Sequence, residues 1–172
     1  SADGRVAEAD GVVLFQTDGR SATQRAAESG IAKLALVDLA LDYSKATRLA
    51  LAFARQSGAE VPAAATGLLQ AAGYAVSVLR DVPGLPVMRT VAMLANEAAD
   101  AVNQGVCDAP AADAAMRLGV NYPLGPLAWA DAVGVASIRA VLANLVAFYG
   151  EDRYRISPLI QQAVFAGRSL HD

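Results

Sequence analysis

Cysteine, histidine and tryptophan each occur once in these 172 residues, as Cys107, His171 and Trp129. A lone cysteine cannot form an intrachain disulfide, and a reducing, cytoplasmic setting is natural for it. Cys107 and His171 supply too few soft ligands for a metal site, so none is assigned. Charge of one sign is not in excess either. The 14 Lys and Arg and the 17 Asp and Glu leave a net charge of −3, with both signs scattered. Nucleic acid therefore meets no basic stripe. Arg, Lys, Asp or Gln interrupts every apolar run before it reaches the length of a membrane span, and no signal peptide is visible. We expect no nucleic-acid partner and no membrane partner.

Apolar residues are plentiful. They make up 55% of the chain, enough for a packed core. Much of that share is alanine, which favours closely packed helices with few large side chains. The length suits one domain or two small ones. Ser1 stands where a full-length chain would begin with Met, which points to a piece of a longer polypeptide.

The pattern divides the chain near Asp81. Val12-Val13-Leu14-Phe15-Gln16-Thr17 reads as a buried strand ended by Asp18-Gly19. Ser21 to Ser29 reads as a short helix, with Ser21 as N-cap and Gly30 just past its end. Leu34 to Leu39 reads as a second strand. Ser44 is expected to cap a helix through about Gln56, with Leu49, Ala52 and Phe53 on one face. Pro62 begins another helix ending near Gly73, and Tyr74 to Leu79 forms a third strand. Strands separated by helices imply right-handed crossovers and a small parallel sheet.

Beyond Val82-Pro83-Gly84 the pattern is helical. Val87, Val91, Leu94, Ala98 and Val102 recur at three- and four-residue spacing. Pro110 opens a short helix with Asp113 near its start, where the helix dipole favours negative charge. Asn121 to Gly125 is a loop, and Pro126 starts the next helix. Val135, Ile138, Leu142, Leu145 and Phe148 form a further apolar stripe. Ser157 and Pro158 read as the cap and first residue of the last helix. The fold class is α+β and mostly helical, with an α/β domain over residues 1–81 and an all-α domain over 82–172.

Few residues offer chemistry. The turn after the first strand, Thr17-Asp18-Gly19-Arg20-Ser21, holds one glycine and presents a carboxylate where a dinucleotide phosphate would sit. His171 is one residue from the end, where a general base would lack rigid support, so we expect a frayed surface residue. Asn96 and Glu97 could face a substrate cleft. The favoured alternative is a helix-packing hydrogen bond for Asn96 and a solvated Glu97. Asp131 is expected to cap the helix beginning near Gly134, and Trp129 to lie in the core or an interface. Cys107 has no activating neighbour in sequence. We assign no catalytic, cofactor-binding or metal residue.

Several short motifs fall in one order: Asp81-Val82-Pro83-Gly84-Leu85, then Asn96-Glu97-Ala98, then Asn121-Tyr122-Pro123-Leu124-Gly125-Pro126. Ala130, Asp131 and Gly134 follow, and then Arg153-Tyr154, Pro158-Leu159 and Ala166-Gly167-Arg168. Together they resemble the helical C-terminal domain of the NAD-dependent 3-hydroxyacyl-CoA dehydrogenases, a fold like the C-terminal domain of 6-phosphogluconate dehydrogenase. Residues 1–81 resemble a reduced version of that family's Rossmann-like domain. The family's catalytic histidine and glycine-rich cofactor loop have no counterpart here. Its Asn-Arg pair becomes Met88-Arg89, and a thioether cannot replace the hydrogen-bonding amide of the catalytic asparagine.

The resemblance implies the degenerate second copy of a long, duplicated dehydrogenase, of the type used in fatty-acid β-oxidation or phenylacetate catabolism. The parent enzyme would oxidise a 3-hydroxyacyl-CoA to a 3-oxoacyl-CoA with NAD, using residues upstream of this chain. The expected partners are that upstream module and a second copy, through the helical domain. The chain itself would hold no NAD. The competing reading is a stand-alone acyl-binding or assembly module, with a pocket near Met88, Met93 and Trp129.

Overall fold

The β-branched and aromatic run from Val12 does form a strand, β2 (Val12–Gln16), in the computed structural model, which describes residues 4–172. It pairs in parallel with β3 (Leu34–Val37), and α1 (Ala22–Ser29) makes the crossover. Alternate side chains of a strand point to opposite faces. Val12 and Leu14 pack on one side of the sheet with Val61, Ala65 and Leu69 of α2 (Glu60–Ala71). Val13 and Phe15 pack on the other side with Ala22 and Ala26 of α1. The central strands are thus apolar on both faces, and each buried Val or Leu contributes about 1.5–3 kcal/mol.

Among the described residues the sheet is mixed and has five strands in the order β1-β2-β3-β4-β5, so the expected three-stranded parallel sheet is corrected. An additional strand, β1 (Arg5–Ala9), forms an antiparallel hairpin with β2. Its turn is Asp10-Gly11, both residues with positive φ, as a two-residue hairpin turn requires.

The larger correction concerns residues 44–56, which do not form a helix. Arg48–Phe53 is β4, antiparallel to β3, and β5 (Ala75–Val78) runs parallel to β4. Leu49, Ala52 and Phe53 fit a helical stripe, but Leu49, Leu51 and Phe53 fit a strand equally well, and these three pack on the α2 side of the sheet. Ser44 caps no helix. Its backbone N–H and its hydroxyl both bond the Asp42 carboxylate in a local turn.

Two compact units divide the chain, one reaching Met88 and the other running from Arg89 to Asp172. The second unit holds most of α3 (Pro86–Asn103), α4 (Ala109–Gly119), α5 (Pro126–Val133), α6 (Val135–Tyr149), a 3-10 turn at Asp152–Tyr154 and α7 (Pro158–Ala166). Asp108 caps α4, its carboxylate accepting from Ala111 N at 2.8 Å. Gly134 joins α5 to α6 with φ +100°, a conformation closed to most side chains. Leu127, Ile138, Leu142, Leu145 and Ile160 are completely buried, whereas Phe148 of the expected stripe is 52% exposed. Among the described residues no single helix is long and apolar enough to cross a membrane.

Candidate functional site

Site chemistry in the first unit would depend on the β2–α1 turn. Ser21 caps α1, its hydroxyl accepting from Gln24 N at 3.0 Å. The next two free amides, Ala22 N and Thr23 N, donate to the Asp81 carboxylate at 2.6 and 2.9 Å. A helix N-terminus attracts anions because its first N–H groups point outward. Here the chain's own carboxylate takes that place.

A second carboxylate, Asp18, lies in the same turn and pairs with Arg20 and with buried Arg25. Burial works to raise the Asp18 pKa, but the Arg20 hydrogen bond and the Arg25 charge outweigh it and hold Asp18 below its ordinary value. Replacing Asp81 with alanine is expected to cost about 1 kcal/mol, the usual loss for an N-terminal cap, read as a lower urea midpoint.

Asp38 does the same for α3. Its carboxylate follows β3 and accepts from Leu39 N, Val87 N and Met88 N at 2.8, 2.8 and 3.0 Å. Burial pushes its pKa up against these bonds. Met88 is therefore placed in the first turn of α3, with its side chain 2% exposed. Neither Asp38 nor Asp81 stood out in the sequence. Asp81 was legible only as part of a linker motif.

In the second unit Asn96 is buried. Its amide N–H donates to Arg155 O and its carbonyl accepts from Ser157 N, both at 2.8 Å. It ties the segment before α7 to the middle of α3, while Glu97 is exposed. Ser157 stands at the cap position of α7, but its buried hydroxyl finds no partner. Trp129 is buried beside Tyr122, with ring centroids 5.4 Å apart. Cys107 is a half-buried free thiol.

Two expectations are corrected here. Asp131 does not cap α6; its carboxylate accepts from Leu170 N at 2.8 Å and meets His171 Nδ1 at 2.7 Å. His171 is not frayed, because its Nε2 also lies 3.1 Å from Asp113 Oδ2. Asp113, buried on α4, accepts from Leu127 N and Ala128 N at 2.8 and 2.9 Å and so caps α5. Its carboxylate fills the space where a Cβ at position 125 would be, which explains Gly125. The spacing between Asp113, Asp131 and His171 is too long for any sequence pattern to have joined them. Among the described residues no group of acidic, Cys and His side chains could hold a metal ion.

A groove of about 530 Å³ in the second unit is lined by Val146, Arg155, Ile156 and Gln161 with their neighbours. A smaller cavity of about 200 Å³ in the first unit lies beside Gln16 and Tyr43. Neither is lined by Met88, Met93 or Trp129, so the expected acyl pocket at those residues is not supported by these cavities.

Residues 14–83 match the family model of the 3-hydroxybutyryl-CoA dehydrogenase reduced Rossmann-fold domain, and residues 84–170 match that of the 3-hydroxyacyl-CoA dehydrogenase C-terminal domain. The chain belongs to the 3-hydroxyacyl-CoA dehydrogenase family. Within this family it is similar to a 3-hydroxyadipyl-CoA dehydrogenase of Escherichia coli, 40% identical over 91% of this chain and 32% of the relative. It is also similar to a probable 3-hydroxybutyryl-CoA dehydrogenase of Deinococcus radiodurans, 40% identical over 51% of this chain and 31% of the relative. A crystal structure of 3-hydroxybutyryl-CoA dehydrogenase from Escherichia coli superposes with a TM-score of 0.88 at 37% identity. That match covers 96% of this chain and 34% of that one. The chain thus spans about a third of the length of the curated dehydrogenases it matches.

Proposed function

We propose that this chain is a non-catalytic packing copy within a longer NAD-dependent 3-hydroxyacyl-CoA dehydrogenase. The observation that carries this reading is the start of α1, where Ala22 N and Thr23 N are already bonded to Asp81. The residues present do not fit a dinucleotide, since a pyrophosphate would have to displace one carboxylate and approach another, Asp18. Met88, buried at the position of the family's catalytic asparagine, supports the same reading. We place the boundary between the reduced domain and the helical domain at Asp81 and Val82.

The parent enzyme would oxidise a 3-hydroxyacyl-CoA to the 3-oxoacyl-CoA in fatty-acid or phenylacetate catabolism, in the cytoplasm. The names of the relatives share that substrate class. This chain's part would be to offer the helical face that otherwise serves dimerisation, either to the upstream module or to a second copy. The large apolar side chains of the second unit most open to such a partner are Leu118, Phe165 and Val106, which are 87%, 78% and 73% exposed.

Light scattering of the chain, alone and with the catalytic module of the same polypeptide, tests the assembly. A homodimer that gives way to a one-to-one complex is expected. A monomer indifferent to that module would overturn the packing role. Calorimetry with NAD tests the other half, with no heat of binding expected. Saturable NAD binding to this chain would overturn the non-catalytic reading.

A further inference from the structure

Segment 167–172 leaves α7 through Gly167, which has a positive φ of 64°, and folds back over α4 and α5. Its hold there is polar as well as apolar. Leu170 N donates to Asp131 Oδ1 at 2.8 Å, and the His171 ring lies between Asp131 Oδ2 and Asp113 Oδ2 at 2.7 and 3.1 Å. Leu170 itself is 5% exposed beneath this contact.

A neutral imidazole carries one N–H and one lone pair, so with carboxylates on both sides one nitrogen must face an oxygen with no proton between them. Only the doubly protonated ring satisfies both. Asp113 from α4 and Asp131 from α5 are the charged groups that face it. The remaining charged side chain on those helices is Arg117, which is exposed. The segment adds Arg168 and Asp172, and Asp172 accepts from Ser169 N at 3.0 Å.

We propose that segment 167–172 is a proton-operated clasp, held tightly on α4 and α5 while His171 carries its second proton and loosened when that proton leaves. The hydrogen bond to Asp131 raises the His171 pKa above its ordinary value, against the opposing effect of burial, and the Asp113 charge adds to the rise. A raised histidine pKa gives a contribution fully present below the unfolded value, about 6.5, and lost as pH rises through the folded one. Opening would uncover Leu170. Asp113 would keep its bonds to Leu127 N and Ala128 N, so α5 stays capped in both states.

His171 is the only histidine, so its imidazole signal can be followed without ambiguity by NMR. The chain would be titrated from about pH 5 to 9, across the range in which histidine changes charge. Amide exchange at Leu170 would be measured in parallel and corrected for its intrinsic base catalysis. We expect a midpoint above that of a free histidine and a fall in Leu170 protection that tracks it, tenfold for each unit of separation. D131N should move the midpoint down and loosen Leu170 at low pH. H171Q should make Leu170 protection independent of pH while the helical signal persists. A midpoint at or below the free value, or Leu170 protection unchanged through the titration, would overturn the clasp.

Discussion

Replacing Asp38 with alanine is expected to lower the stability of the first unit by about 2–4 kcal/mol, because several backbone donors lose their acceptor at once. Two of the three, Leu39 N and Met88 N, belong to buried residues, so water cannot easily take the place of the carboxylate. The third, Val87 N, belongs to a residue that is 41% exposed and can be rehydrated, which keeps the loss below three full penalties. Asp38→Asn keeps one acceptor oxygen and should lose about half as much. Urea unfolding followed by circular dichroism measures both. A shift under about 0.5 kcal/mol for the alanine variant would mean that these amides find other partners, and that Asp38 does not hold the start of α3.

Asn96→Leu should destabilise the second unit by a similar amount, about 2–4 kcal/mol. Leucine fills the volume but satisfies neither Arg155 O nor Ser157 N, and Ser157 already carries a buried hydroxyl without a partner. The loss should also be local. Amide exchange at Ser157 should accelerate more than at Ile138 or Leu142 of α6, because the segment before α7 detaches first. A uniform change across both helices, or no change at Ser157, would show that Asn96 acts by filling space alone.

Both predictions rest on side chains that bond backbone groups far away in sequence, and such contacts divide what was legible from what was not. β2 and β3 could be read from the sequence because their β-branched and apolar runs are bounded by turn residues and are buried on both faces. The caps at Ser21 and Gly30 were readable because capping is a relation between residues three or four apart. The Asp10-Gly11 hairpin could have been read the same way, from the dipeptide its turn requires. The motif order from Asp81 to Arg168 identified the family because linear motifs survive as text.

The sequence by itself therefore determined the elements whose stabilising partners are local, the two-part organisation, and the family. Only the tertiary structure decided that Arg48–Phe53 is a strand. Its Leu and Ala residues satisfy both periodicities, and pairing with β3 and β5 settles the conflict. Only the tertiary structure also decided what the isolated polar residues do. Asp81 closes the start of α1, Asp38 the start of α3 and Asp113 the start of α5, while Asp131 and His171 hold segment 167–172. The physical reason is the same in each case. A buried or half-buried carboxylate is stabilised by whichever N–H groups the fold brings to it, and these groups, 14 or more residues away in the sequence, come within reach only after the chain has turned back on itself.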